Sequence, residues 1–262
     1  MFEQSKLKIE RADHHIQDLN AYIVSILKDH LYTLSIEDHP QTGIPGLVCR
    51  LCDTPADIAL FIGDIAHNLR SALDILYCDI LRHEGRTVGR NSKWPFRERR
   101  EELIAGFNGR EEQDRPSDGI IKLIVDSIQT YRGGNGDALY ALNDLNIEDK
   151  HMLLTPMISV SRIWDVQYIH RNGHPGRSEF SAGGGTNAPT NIQFRSDSSI
   201  GVREITNHGK ATFDVFFGKG AFHGQPLVPT LRELSQLVSA TVETVENFLT
   251  QFWKLNPCEA PL

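Results

Sequence analysis

Cysteine is scarce, with four residues in a chain of 262, too few for the disulfide framework of a small secreted domain. Cys49 and Cys52 form a CxxC, but they sit in GLVCRLC, which reads as a strand. Residues three apart on a strand point to opposite faces, and Cys78 and Cys258 offer no paired spacing to complete a metal set. Core and surface thiols are the expectation; no metal and no cofactor is assigned. Also missing is an uncharged apolar run of the roughly eighteen residues needed to span a bilayer. The longest apolar stretch is interrupted by Asp64, His67, Arg70 and Asp74. The opening MFEQSKLKIERADHH is charged and lacks the apolar centre of a secretory signal. No membrane association and a cytoplasmic location are expected. The hydrolase signatures GxSxG and HExxH are absent. A net charge of -7 argues against broad, charge-driven nucleic-acid binding, though not against a local basic patch.

What is present is the 40% hydrophobic, mixed-charge composition of a globular protein, organised around one stretch, Thr54 to Gly85. Thr54 reads as an N-cap, with Pro55 at the first helical position and Asp57 three residues on. Gly85 is the stop, and Arg82 and His83 in the last turn suit the helix dipole. Between them Ile58, Ile62, Ile65, Leu69, Ala72, Leu76 and Ile80 recur three and four apart, the apolar stripe of a helix. Gly63, His67, Arg70 and Asp74 fall together on the far side, where Arg70 and Asp74 can pair at i,i+4. A solvated face with an ordinary ion pair is the competing reading. Two features favour a partly buried site. Gly63 in mid-helix costs up to about 1 kcal/mol against alanine, which points to close approach of another element, and Ala66, Leu73 and Tyr77 make the helix apolar on more than one side.

Other helices are expected at 6–29, at 102–107, at 120–131 and from a Thr230–Glu233 capping box to about Lys254. LYTLSIED and GLVCRLCD, joined by HPQTGIP, predict a hairpin. From 153 to 217 the pattern turns to strands, LLTPMISVSRIW, TNIQFRS and ATFDVFFG, with HRNGHPGRSEFSAGGGTNAPT between the first two as a Gly- and Ser-rich loop. His170 and His174 fall in that loop and have no helical spacing to support a metal. The fold expected is α+β and mainly α: an antiparallel helical bundle with a small antiparallel hairpin and sheet insertion. It forms a single domain over 1–262, with the hairpin at 31–53 and the β-rich insertion at about 153–217.

Two further stretches carry polar chemistry. From Arg82 to Arg100, seven basic residues against two acidic ones give a local +5, with Trp94 and Phe96 inside it. That combination offers stacking surface beside charge, unless the run is merely solvated or neutralised by the acidic stretch that follows. In DALYALNDLNIEDKHMLL, Ala138, Leu142 and Leu145 give a short helix and Asn146 reads as a fresh N-cap. Asn143, Asp149, Lys150 and His151 then place amide, carboxylate, amine and imidazole in a turn between helices.

GDIAHNLRSALDI followed some seventy residues on by LNDLNIEDKH resembles a group of bacterial proteins with GDxxHNLRSALDH and LNxxDKHR-type motifs. The central helix also resembles HEPN domains, helical bundles often found as RNA-cutting toxins and defence proteins. That resemblance implies an arginine and a histidine about five residues apart on one helix. The arginine would be Arg70; the histidine position is Ile75, so His151 would bring an imidazole from another segment.

Three functions follow as alternatives. In the first, RNA or a nucleotide is the target. Arg70 steadies phosphate charge, His67 or His151 moves a proton, Asp74 or Asp149 orients it, and Asn68, Asn143 and Lys150 bind. In the second, the same residues form a buried network joining the central helix to 143–151 in a non-catalytic module whose partner is another protein or a second copy. In the third, Asp64 and His67 with Asp149 or His151 hold a divalent metal.

Overall fold

The long apolar stripes become helices that pack stripe to stripe. A computed structural model describes residues 1–28, 32–51, 54–152, 154–181, 193–196 and 199–255. In chain order, α1 is Glu3–Lys28, β1 Tyr32–Asp38, β2 Pro45–Leu51, α2 Asp57–His83 and α3 Arg100–Asn108. Then come α4 (Asp118–Lys122, continued by a π-turn over Leu123–Ile128) and α5, Asp137–His151. β3 is Pro156–His170, β4 Pro175–Ser181, β5 Gln193–Ser196, β6 Val202–Phe217 and α6 Leu227–Leu255. The chain divides into two compact units, one of Met1–Asp18, Ala59–Leu154 and Val228–Leu262, the other of Leu19–Ile58 and Thr155–Leu227.

The first unit is helical. Ile62, Ile65, Leu69, Ala72, Leu76 and Ile80 of α2 are buried, and so are Ala66, Leu73 and Tyr77 on its flanks. Gly85, at φ +67, stops the helix in a Schellman turn, with Arg86 N donating to Leu81 O at 2.8 Å. The start differs from expectation. Helix α2 begins at Asp57, Ile58 N bonds back to Pro55 O, and Thr54 Oγ1 caps nothing among the described residues. The first part of α1 meets α6 through Ser235 Oγ donating to Asp13 at 2.6 Å and Glu246 taking both Lys6 Nζ and the amino terminus.

Two more helix ends correct the sequence reading. Helix α6 starts at Leu227, so Thr230 is buried inside it and is no N-cap. Pro229 falls in the first turn, where its missing N–H costs nothing, and buried Leu227 rewards the extra turn. Helix α5 runs unbroken through Asn146, which is buried with Leu142 and Leu145. That burial outweighs the small helix penalty of asparagine, and residues 143–151 lie on one helix, not in a turn.

The second unit overturns the expected fold class. Its β structure is no small insertion on a helical bundle but a curled antiparallel system arranged as β1-β2-β5 and β4-β3-β6. The hairpin does form, with Tyr32 opposite Leu51 and Leu34 opposite Cys49. Its Tyr32, Leu34, Leu47 and Cys49 share one core with Val160, Ile163, Val166, Phe180 and Val202 of β3, β4 and β6. Cys49 is thus a core thiol, whereas Cys52, Cys258 and the GGGT of 183–186 lie outside the described residues. Strand β4, within the stretch read as a loop, pairs with β3. Curl accompanies the long β3–β6 ladder, whose register shifts between Val160 and Arg162, between Gln167 and Tyr168 and between Ile169 and His170, and which bends again where Asp165 and Gly209 both take positive φ. No helix among the described residues is long and apolar enough to cross a membrane.

A Cβ at Gly209 would lie 2.5 Å from Trp164 O in a backbone already at φ +79. Gly209→Ala is expected to cost at least about 1–3 kcal/mol, read as a lower denaturant midpoint. An unchanged midpoint would mean that this bend is not built on glycine.

Candidate functional site

The polar face of α2 meets α5 within the helical unit. Near one end of the contact, Gly63 lies beneath Asp149, and a Cβ there would sit 2.7 Å from Asp149 Cγ. Two turns further along α2, Arg70 Nε donates to Asn143 Oδ1 at 2.9 Å. The contacts 63 to 149 and 70 to 143 run in opposite senses, so the two helices are antiparallel. The mid-helix glycine is the relief that lets a carboxylate rest on the backbone of α2.

Arg70 is buried, its side chain 8% exposed, and all three of its nitrogens are occupied. Besides the Asn143 bond, Nη1 forms an ion pair with Asp74 that is electrostatic rather than a well-aimed hydrogen bond. Nη2 donates to the main-chain oxygen of Trp94 at 3.4 Å, and the guanidinium lies 4.6 Å from the centre of the Phe96 ring. Asp74 in turn accepts the main-chain N–H of Trp94 at 2.9 Å. One i,i+4 ion pair therefore holds both main-chain polar groups of a single residue.

That residue anchors the basic stretch. Trp94 and Phe96 are buried, and Thr130 Oγ1 bonds Pro95 O at 2.8 Å. They are core, not a stacking surface. Four of the neighbouring cations are consumed locally: Arg82 by Asp79, Arg86 by the Glu112 carbonyl, Arg99 by Glu102 and Arg100 by Asp126. The capture of the Trp94 main chain was not foreseen; its one signal was an apolar WPF inside a charged run.

The remaining candidates separate into two groups. Asn68 is buried, accepting from Lys8 Nζ at 3.1 Å and donating to Asp64 O at 2.8 Å, so it joins α1 to α2. His67 is exposed and approaches Ser71 Oγ at 3.5 Å. Asp149 shares its surroundings with Asp64, His67 and Lys150. Burial first, and the Asp64 charge second, push the Asp149 carboxyl above its usual range, while His67 and Lys150 pull it down. Lys150 and His151 are exposed, and His151 makes no hydrogen bond or ion pair among the described residues. The structure thus brings Arg70, Asp74 and Asn143 into one cluster, and Asp149 beside His67 and Asp64 in another. Among the described residues no group of three His, Cys, Asp or Glu is placed to hold a metal, which removes the support for the Asp64–His67–Asp149 metal alternative.

Comparison with protein-family models, curated proteins and solved structures finds no match to this chain.

The Asp149 carboxyl holds its proton more tightly folded than unfolded, so stability falls as pH rises through that raised pKa. Asp149→Asn is expected to melt above wild type at pH 7, the gap closing as pH drops below the ordinary aspartate value of about 4. Melting curves over this range check it. A variant no more stable than wild type at neutral pH would show that the carboxylate on Gly63 is well solvated.

Proposed function

We propose that this protein is a non-catalytic helical interaction module, with Arg70 as the internal tie that sets the position of α2, α5 and the Trp94 loop. The observation that carries this reading is the full occupancy of Arg70. An arginine that steadies a phosphate needs at least one free edge of its guanidinium facing solvent. Here Asn143, Trp94 and Asp74 occupy every nitrogen, and Phe96 covers a face. A surface for a partner lies close by. Leu60 and Met152, each one turn beyond the Gly63–Asp149 contact, are 55% and 52% exposed. The partner is another protein or a second copy of this chain.

Arg70→Ala removes charge-assisted hydrogen bonds and is expected to lower stability by about 2–3 kcal/mol. Arg70→Lys should restore little of it, because an ammonium cannot span Asn143 and Trp94 together. Thermal melts read both. Wild-type stability in Arg70→Ala, together with loss of an RNA-cleaving activity, would sink the module reading.

A second reading rests on a separate observation, the raised carboxyl of Asp149 beside the exposed imidazole of His67. Such a pair could pass a proton to or from RNA or a nucleotide without Arg70. Incubating mixed RNAs in EDTA with wild type, His67→Ala and Asp149→Asn separates the two. This second reading expects cleavage by wild type alone; equal, negligible cleavage by all three proteins would dismiss it.

A further inference from the structure

Away from Arg70, two loops of the helical unit face each other: residues 86–93 after α2 and 109–114 after α3. Three bonds tie them. Arg86 Nη1 donates to Glu112 O at 2.6 Å, Ser92 Oγ to Asp114 Oδ1, and Arg110 Nη2 to Lys93 O at 3.3 Å. Behind them Arg110 lies 4.6 Å over the Tyr77 ring, donates to its hydroxyl at 2.6 Å and pairs with Asp114 at 3.5 Å. The loops enclose an open cavity of about 430 Å³, within the range of small-ligand sites, about 300–1,000 Å³. Gly89 and Gly109 line it, leaving bare backbone where a ligand can come close.

The charges of the cavity sort by wall. Arg110 and Asp114 are spent on each other, on Tyr77 and on Ser92. On the first loop, Thr87, Arg90 and Asn91 line the cavity and make no hydrogen bond or ion pair among the described residues. On the second, Glu111 gives Oε2 to Gln113 Nε2 at 2.5 Å and keeps its other oxygen. One wall therefore offers free donors and a positive charge, the opposite wall an acceptor and a negative charge. A plain anion drawn to Arg90 would face Glu111, and a plain cation drawn to Glu111 would face Arg90. A bound metal has no support either, since no three metal-binding side chains gather among the described residues.

We infer that this cleft binds a small zwitterion of the amino-acid class, its carboxylate on Arg90 and Asn91 and its ammonium on Glu111. This goes beyond the module reading and does not depend on the Arg70 network. The bonds between the loops hold the two backbones in place before the ligand arrives, which removes the loops' share of the entropic cost of binding.

Isothermal titration of the wild-type protein tests it with glycine, β-alanine, γ-aminobutyrate, L-alanine and L-glutamine, whose charge separations and side chains differ. Each is paired with its N-acetyl form, which keeps only the carboxylate, and its amide, which keeps only the ammonium. At least one free amino acid should saturate the protein by about 10 mM, with both blocked forms at least tenfold weaker. Arg90→Ala and Glu111→Gln should each weaken that ligand tenfold or more at an unchanged melting temperature. No binding by any free amino acid overturns the inference. So does a blocked form that binds as well as its parent, or binding that survives both substitutions.

Discussion

An ion pair one helical turn long governs the helical unit. Arg70 and Asp74 would contribute little if both faced water, where exposed pairs are worth about 0–1 kcal/mol. Their value here lies in what else they hold. Trp94 enters the interior on a loop, and a loop residue in the interior brings an N–H and a C=O with no helix or sheet to satisfy them. Asp74 takes the first and Arg70 the second. With those groups answered, the indole and the Phe96 ring can be buried, and Phe96 in return gives the guanidinium a face to stack on. Asp74 stays 36% exposed, so the pair is desolvated mainly on the arginine side and avoids the full penalty of a buried salt bridge.

The same contact between α2 and α5 sets the chemistry at its other end. Without a side chain at Gly63, α5 can lay Asp149 directly on α2, and the cost is a partly desolvated carboxylate with Asp64 for a neighbour. Asp149 also stands in the last turn of its helix, where the dipole disfavours negative charge. Close packing thus produced the perturbed group. A raised carboxyl in such a place is what a proton-transfer site needs, and it is also what tight helix packing leaves behind.

Much of the helical unit was legible in the sequence. The α2 stripe, its Gly85 stop, the Arg70–Asp74 spacing and the close approach at Gly63 all follow from a 3.6-residue repeat, which local sequence expresses directly. The helix starts did not follow. Thr54, Asn146 and Thr230 are each followed three residues on by an acidic residue, yet burial of Asn146 and Leu227 moved the boundaries past them. Capping is worth about 1 kcal/mol, and one well-buried leucine outweighs it. The β unit was misjudged for a different reason. Strand β4 in PGRSEFS has no strong apolar alternation and opens on a Pro-Gly pair that reads as a turn; it exists because β3 offers it an edge. The cluster around Arg70 was half legible: its charged members share a helix, while Trp94 contributes main-chain atoms, which no side-chain pattern can announce.

Charge counting misleads in a parallel way. The stretch 82–100 carries a local +5 and so resembles a patch for phosphate. In the fold its cations are drawn inward or sideways, to Asp79, Glu102, Asp126 and the Glu112 carbonyl. What the surface presents is therefore set by which cations remain unpaired, not by the sum. Arg90 is one that does, and it lines the same cleft as Glu111. An anion drawn to the arginine therefore also feels the field of that carboxylate, which a sum of charges along the sequence does not express.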